Sequence, residues 1–177
     1  MDALDALLPA TTRSADETLA LGRRIGAALQ PGDVLALTGD LGAGKTHLAK
    51  GIVAGLGGRA EAVASPTFAL VHEHATDPPL RHLDLYRLDT PAALASIGLG
   101  EILADLDAVA LIEWPERAAD RLPPEAVWLR LRHGGGEVRW VERAEPPASG
   151  GSPASGGGPA GRARGRAYST RIAFSPR

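Results

Sequence analysis

The sequence predicts an α/β fold of three layers, with a mostly parallel central sheet and a β-hairpin at its C-terminal end. Three observations carry that prediction. Val34-Leu35-Ala36-Leu37-Thr38 reads as a short buried strand, and Thr46 to Leu56 after it reads as a helix closed by Gly57 and Gly58. The two are joined by Gly39-Asp40-Leu41-Gly42-Ala43-Gly44-Lys45-Thr46, which fits G-x-x-x-x-G-K-[ST] at every fixed position. A second buried strand, Ala108-Val109-Ala110-Leu111-Ile112, runs straight into the acid Glu113.

The elements follow in order. Residues 1–13 form an N-terminal arm ahead of a domain spanning 14–142. Ser14-Ala15-Asp16-Glu17 has the form of a capping box, with the serine capping a helix and Glu17 reaching back. Leu19, Ile25, Ala28 and Leu29 continue at helical spacing until Pro31-Gly32-Asp33 stops it, and this helix reads as scaffold or, alternatively, as an edge over the nucleotide base. Leu48, Ile52, Val53 and Leu56 mark the buried face of the helix after the glycine-rich loop. Ser65-Pro66-Thr67 then leads into the apolar run Phe68-Ala69-Leu70-Val71. That is either ordinary turn chemistry before a strand or a switch whose Thr67 hydroxyl senses metal or γ-phosphate.

After the turn at Asp77-Pro78-Pro79, Leu80 to Leu88 alternates as a strand with Arg81 or His82, Asp84 and Tyr86 on a polar face. Asp84, near the strand's C-terminal end, either approaches a ligand or pairs with Arg87 at the surface. His82 reads as a packed or solvated histidine. Thr90-Pro91 starts a helix, and two short helical pieces break at Gly98 and Gly100. Val127 to Arg132 and Val138 to Val141 flank a glycine-rich turn as a terminal hairpin, with Trp128 and Trp140 as packing residues. Of the 32 residues from Pro146 to Arg177, 23 are Gly, Ala, Ser or Pro, a composition too poor in apolar surface to offset the entropy of ordering it. Residues 146–177 are therefore expected to be a disordered tail.

Composition narrows the partners. The tail carries five arginines and no acid, so the overall charge of −2 leaves −7 on residues 1–145. An acidic body is a poor nucleic-acid surface, because that affinity comes mostly from cations meeting phosphates. There is no cysteine, which excludes disulfides and thiolate-held metals. The first ten residues lack the basic n-region of a signal peptide, and no apolar run approaches the ~18 residues of a membrane span. A cytoplasmic location is expected.

The loop supplies the chemistry. Its glycines let backbone N–H groups come close to phosphate oxygens, and the helix that follows adds free N–H groups and a positive dipole end. Lys45 is expected at the β- and γ-phosphates and the Thr46 hydroxyl on Mg²⁺. Glu113, at the end of a buried strand, has the position of an acid that serves Mg²⁺ and its water. The chain contains no asparagine, so the Asn-Lys-x-Asp guanine-reading motif cannot occur, which favours adenine.

With these pieces in place the chain resembles the TsaE (YjeE) family of bacterial P-loop ATPases. The resemblance rests on Gly39 to Thr46, Ser65-Pro66-Thr67, His82-Leu83-Asp84-Leu85-Tyr86-Arg87-Leu88 and Ile112-Glu113-Trp114-Pro115-Glu116, in that order. It covers roughly residues 14–142. It implies a P-loop NTPase-like fold and a part, with TsaB and TsaD, in forming threonylcarbamoyladenosine next to the anticodon of tRNA, the tRNA being met only through the complex. By residue, it implies that Gly39, Asp40, Leu41, Gly42, Ala43, Gly44, Lys45 and Thr46 hold ATP phosphates. Thr46 and Glu113 would hold Mg²⁺, and Asp84 would position or activate the attacking water. Thr67 would belong to the switch, and Trp114 would lie beside the nucleotide. His47 departs from the family, which usually has a small hydroxyl residue there. The alternative reading is a P-loop kinase for a small metabolite, which needs an arginine-rich lid over the γ-phosphate.

Overall fold

The computed structural model describes residues 2–64, 70–88 and 90–147 of the chain. The strands are β1 (Ala10–Thr12), β2 (Val34–Thr38), β3 (Val71–His74), β4 (Leu80–Asp84), β5 (Val109–Glu113), β6 (Val127–His133) and β7 (Arg139–Arg143). The helices are α1 (Asp2–Asp5), α2 (Ala15–Gly26), α3 (Lys45–Gly55), α4 (Pro91–Ser96) and α5 (Leu99–Ala104). One seven-stranded sheet orders its strands β1-β7-β6-β2-β5-β4-β3. The central pairs β6–β2, β2–β5 and β5–β4 are parallel, and the pairs toward both edges are antiparallel. The expected α/β class and C-terminal hairpin are present, and the parallel pairing expected of the sheet holds at its centre.

β2 lies at the middle because its residues are apolar on both faces. Leu35, Leu37, Leu80, Leu111 and Leu129 are fully buried in one core with Ile25, Leu48 and Ile52 from α2 and α3. Burial of each such side chain contributes about 1.5–3 kcal/mol. Leu83, Ala110 and Ile112 face the other way and meet Leu94 and Leu99 of α4 and α5 in a second core. Helices thus cover both faces, which makes the three layers.

α2 begins as the capping box requires. Glu17 N–H donates to Ser14 Oγ at 3.1 Å, and Arg13 N–H donates to Glu17 Oε2 at 2.7 Å. α2 and α3 then press backbone to backbone through four glycines. A Cβ on Gly26 would stand 2.2 Å from the carbonyl oxygen of Ile52, and one on Gly51 would stand 2.3 Å from that of Leu19.

Several expectations are corrected. Residues 10–12 are part of the sheet rather than an arm, pairing as β1 with β7 along Ala10–Val141 to Thr12–Arg139. Of the strand expected over Phe68 to Val71, Phe68 and Ala69 lie outside the described residues, and an edge strand runs over Val71–His74. β4 ends at Asp84, four residues short of Leu88, and its His82 and Asp84 are buried rather than on a polar face. α2 ends at Gly26 with Ala27 as its cap, ahead of the proline. The break between α4 and α5 is Gly98 alone, at φ 69°, while Gly100 lies inside α5. Trp128 packs as expected, but Trp140 is largely exposed on β7. Ser65, Pro66 and Thr67, and the tail from Ala148 onward, lie outside the described residues.

Candidate active site

β2 is followed at once by the glycine-rich loop, between the C-terminal ends of β5 and β6, where open α/β sheets bind ligands. Gly39, Gly42 and Gly44 take φ of 143°, 78° and 103°, the region that excludes most side chains. At Gly39 the exclusion is also spatial, because a Cβ would stand 2.3 Å from the carbonyl oxygen of Leu131. The chain then enters α3 at Lys45, whose first turn aims its free N–H groups into the loop's hollow.

Lys45 is buried, 5% exposed. Its ammonium donates to the carbonyl oxygens of Gly39 at 2.7 Å and Asp40 at 3.0 Å, and lies 3.9 Å from the centroid of the Trp114 ring. Burial lowers its pKa below the usual lysine value, against the opposing pull of Glu113, Glu116, Asp84 and Asp40. Trp114 reaches it from a left-handed turn, φ 59°, directly after β5. A non-glycine residue held there stores about 1–3 kcal/mol, and such strain gathers at functional sites.

Two carboxylates share this end of the sheet. Asp84 on β4 and Glu113 on β5 are register partners, each 2% exposed. Register partners point to the same face, so both carboxyl groups stand on one side of the sheet, and Lys45 feels the pull of both. Asp84 Oδ1 accepts from Tyr86 N–H at 2.9 Å. Thr46 Oγ1 lies 3.2 and 3.4 Å from the two Glu113 oxygens, across 67 residues of sequence. One hydroxyl and one carboxylate, facing a loop built for phosphates, suit Mg²⁺, which takes few protein ligands and completes its shell with phosphate oxygens and water. Among the described residues no cluster of three or more His, Cys, Asp or Glu side chains would hold a metal without such help.

Two adjoining hollows flank the loop. One of about 210 Å³ is lined by Leu41, Lys45, Thr46, Glu113 and Trp114, together with Gly42, Gly44 and His47. The other, of about 300 Å³, shares Gly42, Gly44 and His47 and is closed by Ala15, Thr18, Glu137 and Arg139. Arg139 comes from the hairpin and is pinned there by its own Nη1 donating to the carbonyl oxygens of Gly136 and Val138.

The structure brings Gly39 to Thr46, Asp84, Glu113 and Trp114 to one place; Thr67 lies outside the described residues. It also brings to the site residues to which the sequence reading assigned no part in it. His82 is fully buried with Nε2 2.9 Å from Glu113 Oε1. It stands two positions before Asp84 on one strand, so strand alternation already placed both on one face. Arg139 gave no such signal, because only the fold brings the hairpin over Gly44.

Comparison with known proteins points the same way. The sequence model of the TsaE family, described as threonylcarbamoyl adenosine biosynthesis protein TsaE, matches residues 12–141. A protein of Bacillus subtilis named tRNA threonylcarbamoyladenosine biosynthesis protein TsaE is 37% identical over 131 residues, covering 73% of this chain and 80% of its own length. A protein of the same name from Treponema pallidum is 40% identical over 121 residues, covering 68% and 88%. The crystal structure of Bacillus subtilis YdiB superposes with a TM-score of 0.62 at 33% identity, over 76% of this chain and 82% of that one. A family match across well over half the sequence, with relatives this similar over most of their own length, is membership: the chain belongs to the TsaE family.

Proposed function

We propose that this chain binds ATP with Mg²⁺ and hydrolyses it in the service of tRNA threonylcarbamoyladenosine formation in the cytoplasm. TsaB and TsaD carry out the transfer and hold the tRNA. The observation that carries the reading is the meeting of Thr46 with Glu113, and of Glu113 with Asp84, at the mouth of the loop.

In this reading the backbone N–H groups of residues 39–46 surround the β- and γ-phosphates, and Lys45 exchanges its two carbonyl partners for phosphate oxygens. Mg²⁺, held by Thr46 and Glu113, would neutralise charge on the β- and γ-phosphates. Asp84 orients the water that attacks the γ-phosphorus, so the bond to the β-bridging oxygen breaks and the products are ADP and phosphate. The larger hollow, reached past His47, takes the nucleoside.

The kinase alternative needs a lid over the phosphates, and the stretch that would supply one does other work. Residues 91–104 form α4 and α5, packed on the second core. Steady-state phosphate release by the purified chain, alone and with TsaB, TsaD and tRNA, tests the proposal. Slow release alone and a clear rise with the partners is expected. Fast release indifferent to them, with transfer of the phosphoryl group to a metabolite, would replace it with the kinase.

A further inference from the structure

The geometry points to His82 as the positioning residue for Glu113, setting the carboxylate that meets the metal. The inference rests on the ATPase reading of this site. His82 occupies a core position on β4, between Arg81 and Leu83 in sequence and paired in register with Leu111. Its ring is fully buried. Among the described residues its one hydrogen bond is to Glu113 Oε1, at 2.9 Å, and its Nδ1 is buried without a partner. An imidazole kept in the core with half of its polar atoms unmatched lowers stability relative to an apolar residue. What the side chain provides is therefore the bond to Glu113.

A carboxylate oxygen accepts, so in this bond Nε2–H is the donor. Oε1 is then approached by His82 from within the sheet and by Thr46 from α3. His82 thus fixes the carboxylate by Oε1, while both of its oxygens lie near the Thr46 hydroxyl, at 3.2 and 3.4 Å. This is the outer-shell arrangement that makes a ligand's orientation independent of whether the ion is bound.

The test is calorimetric titration of the full chain with β,γ-methylene-ATP, across a Mg²⁺ series and in EDTA, for the wild type and three variants. In His82→Leu, affinity in EDTA should stay near that of the wild type, while the Mg²⁺ concentration needed for half of the metal's gain should rise about 10–100-fold. His82→Gln, whose amide N–H reaches close to the place of Nε2, should restore most of that requirement. His82→Asn is too short to reach Glu113 and should behave like the leucine variant.

An unchanged Mg²⁺ requirement in a folded leucine variant overturns the inference, as do equal losses with and without Mg²⁺, the mark of a merely structural histidine. If the leucine variant does not fold, the glutamine–asparagine contrast decides, and equal behaviour of those two overturns it. A wild type whose affinity ignores Mg²⁺ is a different failure, one that removes Glu113 as a metal ligand.

Discussion

The Lys45 ammonium sits 3.9 Å from the centroid of the Trp114 ring while donating to two carbonyl oxygens of its own loop. Any anion that draws Lys45 away must change the field on that indole, and Trp114 also meets Tyr86 at 4.8 Å between centroids. ATP binding should therefore alter tryptophan emission. The change should vanish in Trp114→Phe while Trp128 and Trp140 remain. An identical response in that variant would move the nucleotide away from Trp114.

Lys45 also makes binding depend on pH. Burial lowers the pKa in the free protein, and phosphates would raise it in the complex. The complex then holds the proton more tightly, so binding takes up protons, and affinity falls as pH rises through the window between the two values. Calorimetry in buffers of different ionisation enthalpy at alkaline pH reads this directly. The apparent heat should depend on buffer in the wild type and lose that dependence in Lys45→Met, with a large loss of affinity.

Asp84 and Glu113 should separate in their effects. A residue that orients the water acts chiefly in the transition state, whereas a metal ligand also acts in the ground state. Asp84→Ala should retain nucleotide affinity and lose about 10²–10⁴ in hydrolysis. Glu113→Ala should also weaken the Mg²⁺ dependence of binding. Equal losses of affinity in both would mean that the roles are not divided this way.

The parts of this site that were legible before the fold are those written in contiguous sequence. Gly39 to Thr46 states a loop conformation directly, because three of its glycines occupy φ values closed to other residues. Val109 to Ile112 running into Glu113 names a strand and its terminal acid together. For His82 the sequence left open a packed or a solvated ring, and the ring is packed: the polar face implied by alternation over Leu80 to Leu88 is buried at His82 and Asp84. The partner of His82, Glu113, is 31 residues away, a pairing set by strand register alone. β1 was read as an arm because three residues carry too little periodicity to declare a strand; its partner, β7, is at the far end of the domain.

The close approach of α2 and α3 gives a stability prediction. Gly26→Ala would place a methyl group 2.2 Å from a backbone oxygen, and no rotamer can relieve that. The helices must separate, at a cost of about 1–3 kcal/mol. Thermal unfolding should show a clear drop in Tm. Gly57→Ala is a control of different origin: nothing lies within 4 Å, and only its φ of 85° is strained. If Gly26→Ala were silent, the helix contact would be looser than described.

Arg139 and His47 supply the last prediction, on the nucleoside side of the loop. A Cβ on Gly44 would stand 3.6 Å from Arg139 Nε, so this guanidinium lies against the loop's outer face. Its hydrogen bonds to Gly136 and Val138 hold it over the larger hollow, which opens toward the phosphate side through Gly42, Gly44 and His47. If ATP lies with its γ-phosphate near Glu113, the nucleoside must pass His47 and its ribose reach Arg139. Arg139→Ala removes a cation at that distance while leaving Lys45, Thr46 and Glu113 untouched. Affinity for ATP and ADP should fall together, by about tenfold or 1.4 kcal/mol, with the Mg²⁺ requirement and the rate at saturation little changed. Inorganic triphosphate, which has no nucleoside, should bind the variant as it binds the wild type. A selective loss of ATP over ADP would put Arg139 on the γ-phosphate and reverse the orientation of the nucleotide in the site, and an equal loss of triphosphate would move Arg139 from the nucleoside to the phosphates.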